Sequence, residues 1–191
     1  MKQHLTPAEV KKYVNDIRTK GYCVLRHQTN VWGENYINLA RDKFMKILSD
    51  FATHSEKGPN RGANRYYMNI PPISIFLKPV EHPQIRQICS AILGADFVLE
   101  NLGSDTPNYN YIPSEFQALH RDGGMAEGSL VVNVALTDQT VNDAPFQIYP
   151  GTMLSDAKEV HREIVKENKI AKLEDVLCSK GDIIIRDPRC M

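Results

Sequence analysis

Phe116-Gln-Ala-Leu-His-Arg-Asp-Gly-Gly124 is the stretch on which the fold turns. Phe116, Ala118, His120 and Asp122 share one parity. Residues two apart on a strand face the same way. The spacing therefore predicts an apolar face that ends in an imidazole and a carboxylate. Buried without partners, those two groups would be costly. A metal ion satisfies both, and so does a mutual hydrogen bond or a water. The pair supplies two of the three ligands of a 2-His-1-carboxylate facial triad, which holds non-haem Fe(II) with open positions. Gly123-Gly124 lets the backbone turn close to a ligand. Alone, a His-x-Asp triplet is a weak signal, and a structural His–Asp pair is the ordinary reading.

Strand texture surrounds the triplet. Residues 97–102, 108–122, 129–137, 146–149 and 182–186 read as extended. Pro145, Pro150-Gly151 and Asn142-Asp143 punctuate them, and a helical or irregular insert spans about 155–177. Upstream the texture is helical. Thr6-Pro7 reads as an N-cap with proline at the first helical position. The helix it opens runs to Lys20, carries Val10, Tyr13, Val14 and Ile17 on one stripe, and stops at Gly21. A short strand over 21–26 follows. A second helix over 31–51 carries Tyr36, Leu39, Ala40, Phe44, Ile47, Leu48 and Phe51. Residues 52–72, rich in Gly, Pro and Asn, read as a long loop holding Arg61, Arg65, Tyr66 and Tyr67. It is either a functional lid or a solvated connection. His82-Pro83 precedes a third helix over 84–93, ended by Gly94.

At 191 residues, with 42% hydrophobic content, the chain is expected to form one domain with a real core. Lys+Arg 23 against Asp+Glu 23 leaves no basic field for nucleic acid or anionic lipid. No run is long enough to span a membrane, and the N-terminus has no apolar leader. A cytoplasmic protein is the expectation. Cys23, Cys89, Cys178 and Cys190 are scattered, which predicts reduced thiols rather than a zinc knuckle or a disulfide framework.

Four blocks carry a resemblance beyond the triplet. They are Gln117-Ala-Leu-His-Arg-Asp-Gly-Gly124, Leu130-Val-Val-Asn-Val-Ala-Leu-Thr-Asp138, Asn142-Asp-Ala-Pro-Phe-Gln-Ile-Tyr-Pro-Gly-Thr152 and Gly181-Asp-Ile-Ile-Ile-Arg-Asp-Pro-Arg189. In order and spacing they resemble the phytanoyl-CoA dioxygenase family over roughly residues 108–191. The resemblance implies an α+β, β-rich domain: N-terminal helices over 1–95 with the loop 52–72, then a jelly-roll (double-stranded β-helix, cupin-like) core over 96–191. It implies Fe(II) with 2-oxoglutarate as co-substrate, and O2 and a small organic molecule as partners. Such enzymes oxidise a C–H bond while the co-substrate becomes succinate and CO2. His120 and Asp122 are then the metal ligands. Gln117 resembles a co-substrate-contacting position, although its parity opposes that of His120. Arg65, ahead of Arg61, resembles an arginine that plays a similar part. Asn133, among valines, is either a pocket group or a hydrogen-bonded core asparagine.

The sequence departs from the family's pattern in three places. The turn reads Pro150-Gly-Thr-Met153, where Ser-His commonly follows Pro-Gly. Phe146 stands where a polar residue is usual. The family's distal histidine and its co-substrate arginine follow a segment like 181–191, so the jelly roll is expected to lack its final strand or strands. His4, His27, His54, His82 and His161 offer no natural substitute. The expectation is an oxygenase when intact, with the 191-residue chain itself inactive; the alternative is a non-catalytic cupin-like binding protein. Substrate identity and oligomeric state are not legible.

Overall fold

The computed structural model describes residues 4–26, 28–54, 65–106, 114, 117, 119–122, 128–143, 145–153, 155, 159–160, 162 and 173–191. Helix α1 (Pro7–Lys20) begins with the capping box expected at Thr6, closed by Glu9. It ends at Gly21, whose φ of 95° is left-handed. Strand β1 (Tyr22–Leu25) follows directly. The predicted 31–51 helix is two helices, α2 (Thr29–Trp32) and α3 (Glu34–His54). The break is at Gly33, where φ is +80°. On α3, Ala40, Phe44 and Leu48 are buried as expected, but Leu39 is 60% exposed and Ile37 takes the inward place.

The predicted loop 52–72 contains strand β2 (Tyr66–Asn69), which pairs antiparallel with β3 (Gly103–Thr106). The predicted strand over 97–102 is neither helix nor strand; Val98 is 83% exposed, and pairing begins only at Gly103. Helix α4 (Ser74–Glu81) was hidden in the sequence by Pro79 and by Pro71-Pro72 ahead of it. Pro79 has no N–H to give the Ile75 carbonyl, and the Tyr36 hydroxyl donates to that oxygen instead, at 2.6 Å. Helix α5 (Pro83–Leu93) lies where expected.

The C-terminal half supplies β4 (Val131–Val134), β5 (Phe146–Ile148), β6 (Glu174–Val176) and β7 (Ile183–Arg186). Strand β6 falls inside the segment read as a helical or irregular insert. One sheet has the order β1-β7-β4, all antiparallel, and β5 pairs with β6. Among the described residues helix outweighs strand, so the β-rich expectation fits the C-terminal half alone.

Register decides what each face of the three-stranded sheet carries. Cys23↔Ile185, Leu25↔Ile183, Val132↔Ile185 and Val134↔Ile183 face α1 and α5. There they join Ile17, Ile85, Ile88 and Cys89 in the main core. The other face carries Tyr22, Val24, Val131, Asn133, Ile184 and Arg186. Ile184 packs there with Ile148 and Val176, so the β5–β6 pair covers the middle of that face while Asn133 stays exposed. All four cysteines are buried and free, as expected.

Gly21 joins the two halves. A Cβ there would overlap Cys190 Sγ and lie 3.1 Å from Met153 Sδ. Gly21→Ala combines that overlap with left-handed backbone, and is expected to cost well over about 1 kcal/mol. An unchanged urea midpoint would show that the close approach is not needed.

Candidate metal centre

His120 and Asp122 do meet, but neither on a strand nor in an interior: their side chains are 47% and 39% exposed. The described residues of the predicted 108–122 strand (114, 117 and 119–122) form no strand, so alternation does not align the two side chains. Phe116, Ala118, Gly123 and Gly124 lie outside the described residues. An irregular segment brings His120 Nε2 within 3.2 Å of Asp122 Oδ1.

Anchors on both sides hold that segment. Asp122 donates its backbone N–H to Pro188 O at 3.1 Å. Arg121 Nη2 donates to Thr152 O at 2.6 Å, and also to Ser155 O. Thr152 is fixed in turn: its hydroxyl donates to Tyr149 O at 2.8 Å and accepts from Met191 N at 2.9 Å. The Pro150-Gly-Thr-Met153 turn, a departure at the sequence level, thus clamps both the His-Arg-Asp segment and residues 187–191.

Arg186 completes the site, and the sequence reading passed over it. It ends β7, is 8% exposed, and donates through Nη2 to Asp122 Oδ2. Its Nε donates to Asn133 Oδ1 at 3.3 Å, and its guanidinium lies 5.0 Å from the centre of the Phe146 ring. Its signal was a cation closing an Ile-Ile-Ile run, since a buried charge demands a counter-charge. Burial pushes the Asp122 pKa up. Attraction to Arg186 and its hydrogen bond, reinforced by His120, outweigh that and hold it below the ordinary carboxylate value. Asp187 shows the same balance, with burial opposed by the hydrogen bonds from Arg189.

Asn133 is exposed, so it is not a core asparagine; it accepts from Arg186 on the site's face of the sheet and is joined through it to Asp122. Gln117 is half-buried. Arg65 lies just before β2 and is engaged by Asp105, with Nε 3.0 Å from Oδ1. His82 packs on Trp32, 4.5 Å between ring centres. Arg61, His27, His161 and the His54 side chain lie outside the described residues.

The donor set fits one divalent ion in part. Two ligands about 2.1 Å from an ion and at right angles stand about 3 Å apart, and the observed separation is 3.2 Å. Among the described residues, no group of three or more His, Cys, Asp or Glu is placed to hold a metal. The residues that would hold the ion are His120, through Nε2, and Asp122, through Oδ1.

A family model described as phytanoyl-CoA dioxygenase (PhyH) matches residues 2–191. Three crystal structures are similar. The non-heme alpha ketoglutarate dependent epimerase SnoN from nogalamycin biosynthesis superposes with a TM-score of 0.72 at 19% identity, over 97% of this chain and 74% of that one. The carbocyclase SnoK from the same biosynthesis gives 0.65 at 18%, over 94% and 75%. SnoN in complex with Fe3+, alpha ketoglutarate and nogalamycin RO gives 0.64 at 16%, over 97% and 76%. At these identities the likeness is one of fold. Comparison with curated proteins finds no match.

Proposed function

Since the chain belongs to the phytanoyl-CoA dioxygenase family, we propose that it is an Fe(II)/2-oxoglutarate-dependent oxygenase acting on a small organic molecule. The family depends on that metal and co-substrate. The observation that carries the reading to this chain is the 3.2 Å approach of His120 Nε2 to Asp122 Oδ1. When bound, Fe(II) and 2-oxoglutarate would supply the oxidising power for C–H chemistry with O2, which protein side chains lack. The chain's own residues bind and orient. His120 and Asp122 hold the ion. Asn133, on the same sheet face as Arg186, is the best placed of the three co-substrate candidates. Gln117 is supported by its nearness in sequence to His120. Arg65 would have to exchange Asp105 for the co-substrate.

A single oxygenase-like domain, with a jelly roll over its C-terminal half, belongs to the same proposal. The family match over residues 2–191 and the packing of β5–β6 on the β1-β7-β4 sheet support it. No described helix is long and apolar enough to cross a membrane. Balanced charge supports a protein without nucleic-acid partners, and the four free cysteines support a reducing, cytoplasmic setting.

The test is anaerobic. The intact gene product, given Fe(II) and then 2-oxoglutarate, is expected to develop a visible charge-transfer band. Absence of the band with both bound sinks the oxygenase reading. One observation favours the second reading, a non-catalytic cupin-like binding protein. Among the described residues only two donors converge, and Arg186 already occupies one carboxylate oxygen. Two donors hold Fe(II) weakly, so the 191-residue chain alone is expected not to turn over. Succinate formation coupled to substrate oxidation by that chain would refute this.

A further inference from the structure

We propose that Arg186 is the positioning residue of the centre: it fixes Asp122 Oδ2, so that Oδ1, the oxygen facing His120, is the only one offered to a cation. The inference rests on the metal reading above and adds to it a residue and a selectivity. Arg186 is itself held from three sides. Asp122 takes Nη2, Asn133 takes Nε, and the Phe146 ring lies against the guanidinium face. Strand β7, central in its sheet, fixes the backbone beneath. A side chain so restrained loses little further freedom in pinning a carboxylate. Asp122 needs the help, because its own segment is neither helix nor strand.

The consequence is a one-oxygen ligand. Calcium favours six to eight oxygens and often takes both oxygens of one carboxylate. An imidazole beside a single carboxylate oxygen suits a smaller transition-metal ion with open positions. Arg186 therefore biases the site against Ca2+. Its positive charge also repels any cation nearby, which by itself would weaken Co2+ and Ca2+ binding together. The ratio of the two affinities cancels that charge effect and isolates the geometry.

The test titrates Co2+ and Ca2+ into the wild-type chain, Arg186→Met and Arg186→Lys, with melting curves to confirm folding. In Arg186→Met the preference for Co2+ over Ca2+ is expected to fall at least about tenfold, the scale of losing a partner behind a ligand. Arg186→Lys, which restores one donor to Oδ2, should recover part of it. An unchanged ratio in Arg186→Met overturns the proposal. A second measurement needs no metal. Hydrogen exchange at the Asp122 N–H should rise at least about tenfold in Arg186→Met, while Ile184 on the same strand keeps its protection. Equal exchange at Asp122 in the two proteins overturns the positioning role. Wild-type protein that binds neither ion sinks the metal reading, and the exchange data alone then decide whether Arg186 orders Asp122.

Discussion

His120→Ala is expected to weaken Fe(II) binding by more than about 100-fold, beyond the 10–100-fold typical of losing a partner behind a ligand. The 2-oxoglutarate charge-transfer band should vanish with it. Asp122→Asn should match it in binding and differ in stability. His120 is 47% exposed on its side chain, so its removal leaves no buried group stranded. Asp122 is the counter-charge of Arg186, which is 8% exposed. An amide in its place keeps the shape but leaves the guanidinium short of charge. A broken buried pair costs roughly 3–5 kcal/mol. Asp122 is 39% exposed, so water offsets part of that, and about 1–2 kcal/mol is the expected loss. Anaerobic Fe(II) titration and urea denaturation of both variants check the pair of outcomes. Wild-type affinity in either variant would remove these residues from any metal centre. Equal stability of the two variants would show that the Arg186 contact carries no energy.

That double role of Asp122 shows where the sequence was readable. Capping chemistry at Thr6, Pro7, Gly21 and Pro83 is local, and it placed α1 and α5 almost to the residue. The central strand was equally open, because Ile183-Ile-Ile185 is an apolar run of the kind a strand buried on both faces shows. What failed depended on contacts distant in sequence. Helix α4 tolerates Pro79 because the Tyr36 hydroxyl, from another helix, satisfies the orphaned carbonyl. Strand β2 exists because β3 pairs with it, and Tyr66-Tyr-Met-Asn69 carries little alternation of its own. The His-x-Asp triplet brought together two side chains that do meet, but from a strand that the described residues do not form. Its geometry is instead imposed by Pro188, Thr152 and Arg186, all at least 31 positions away. Arg186 stayed unread because the Ile-Ile-Ile run argues only for burial. What a buried cation pairs with is a question of tertiary structure.

Stability should fall as pH drops from about 6.5 toward 4, and His82 sets that window. The residue lies between α4 and α5, is 4% exposed, and neither ring nitrogen has a hydrogen-bond partner among the described residues. Its ring lies against Trp32, whose indole N–H donates to Gly181 O at 3.1 Å. Burial without a partner disfavours the imidazolium and lowers the pKa from 6.5 to about 4. The folded pKa therefore lies below the unfolded one. Between the two values the unfolded chain binds the proton and the folded chain does not. Stability from this group is full above the unfolded value and is lost as pH falls through the window. A gap of about 2.5 units corresponds to about 3 kcal/mol at most. Asp122 and Asp187, with pKa values held below the ordinary carboxylate value, lose their contributions at lower pH. His82→Phe keeps an aromatic ring against Trp32 and cannot titrate. Its urea midpoint should stay nearly flat from pH 6.5 to 4, where the wild-type midpoint declines. Parallel decline in both proteins would mean that His82 takes up its proton in the folded chain as readily as in the unfolded one, and the buried imidazole would then have no part in acid sensitivity.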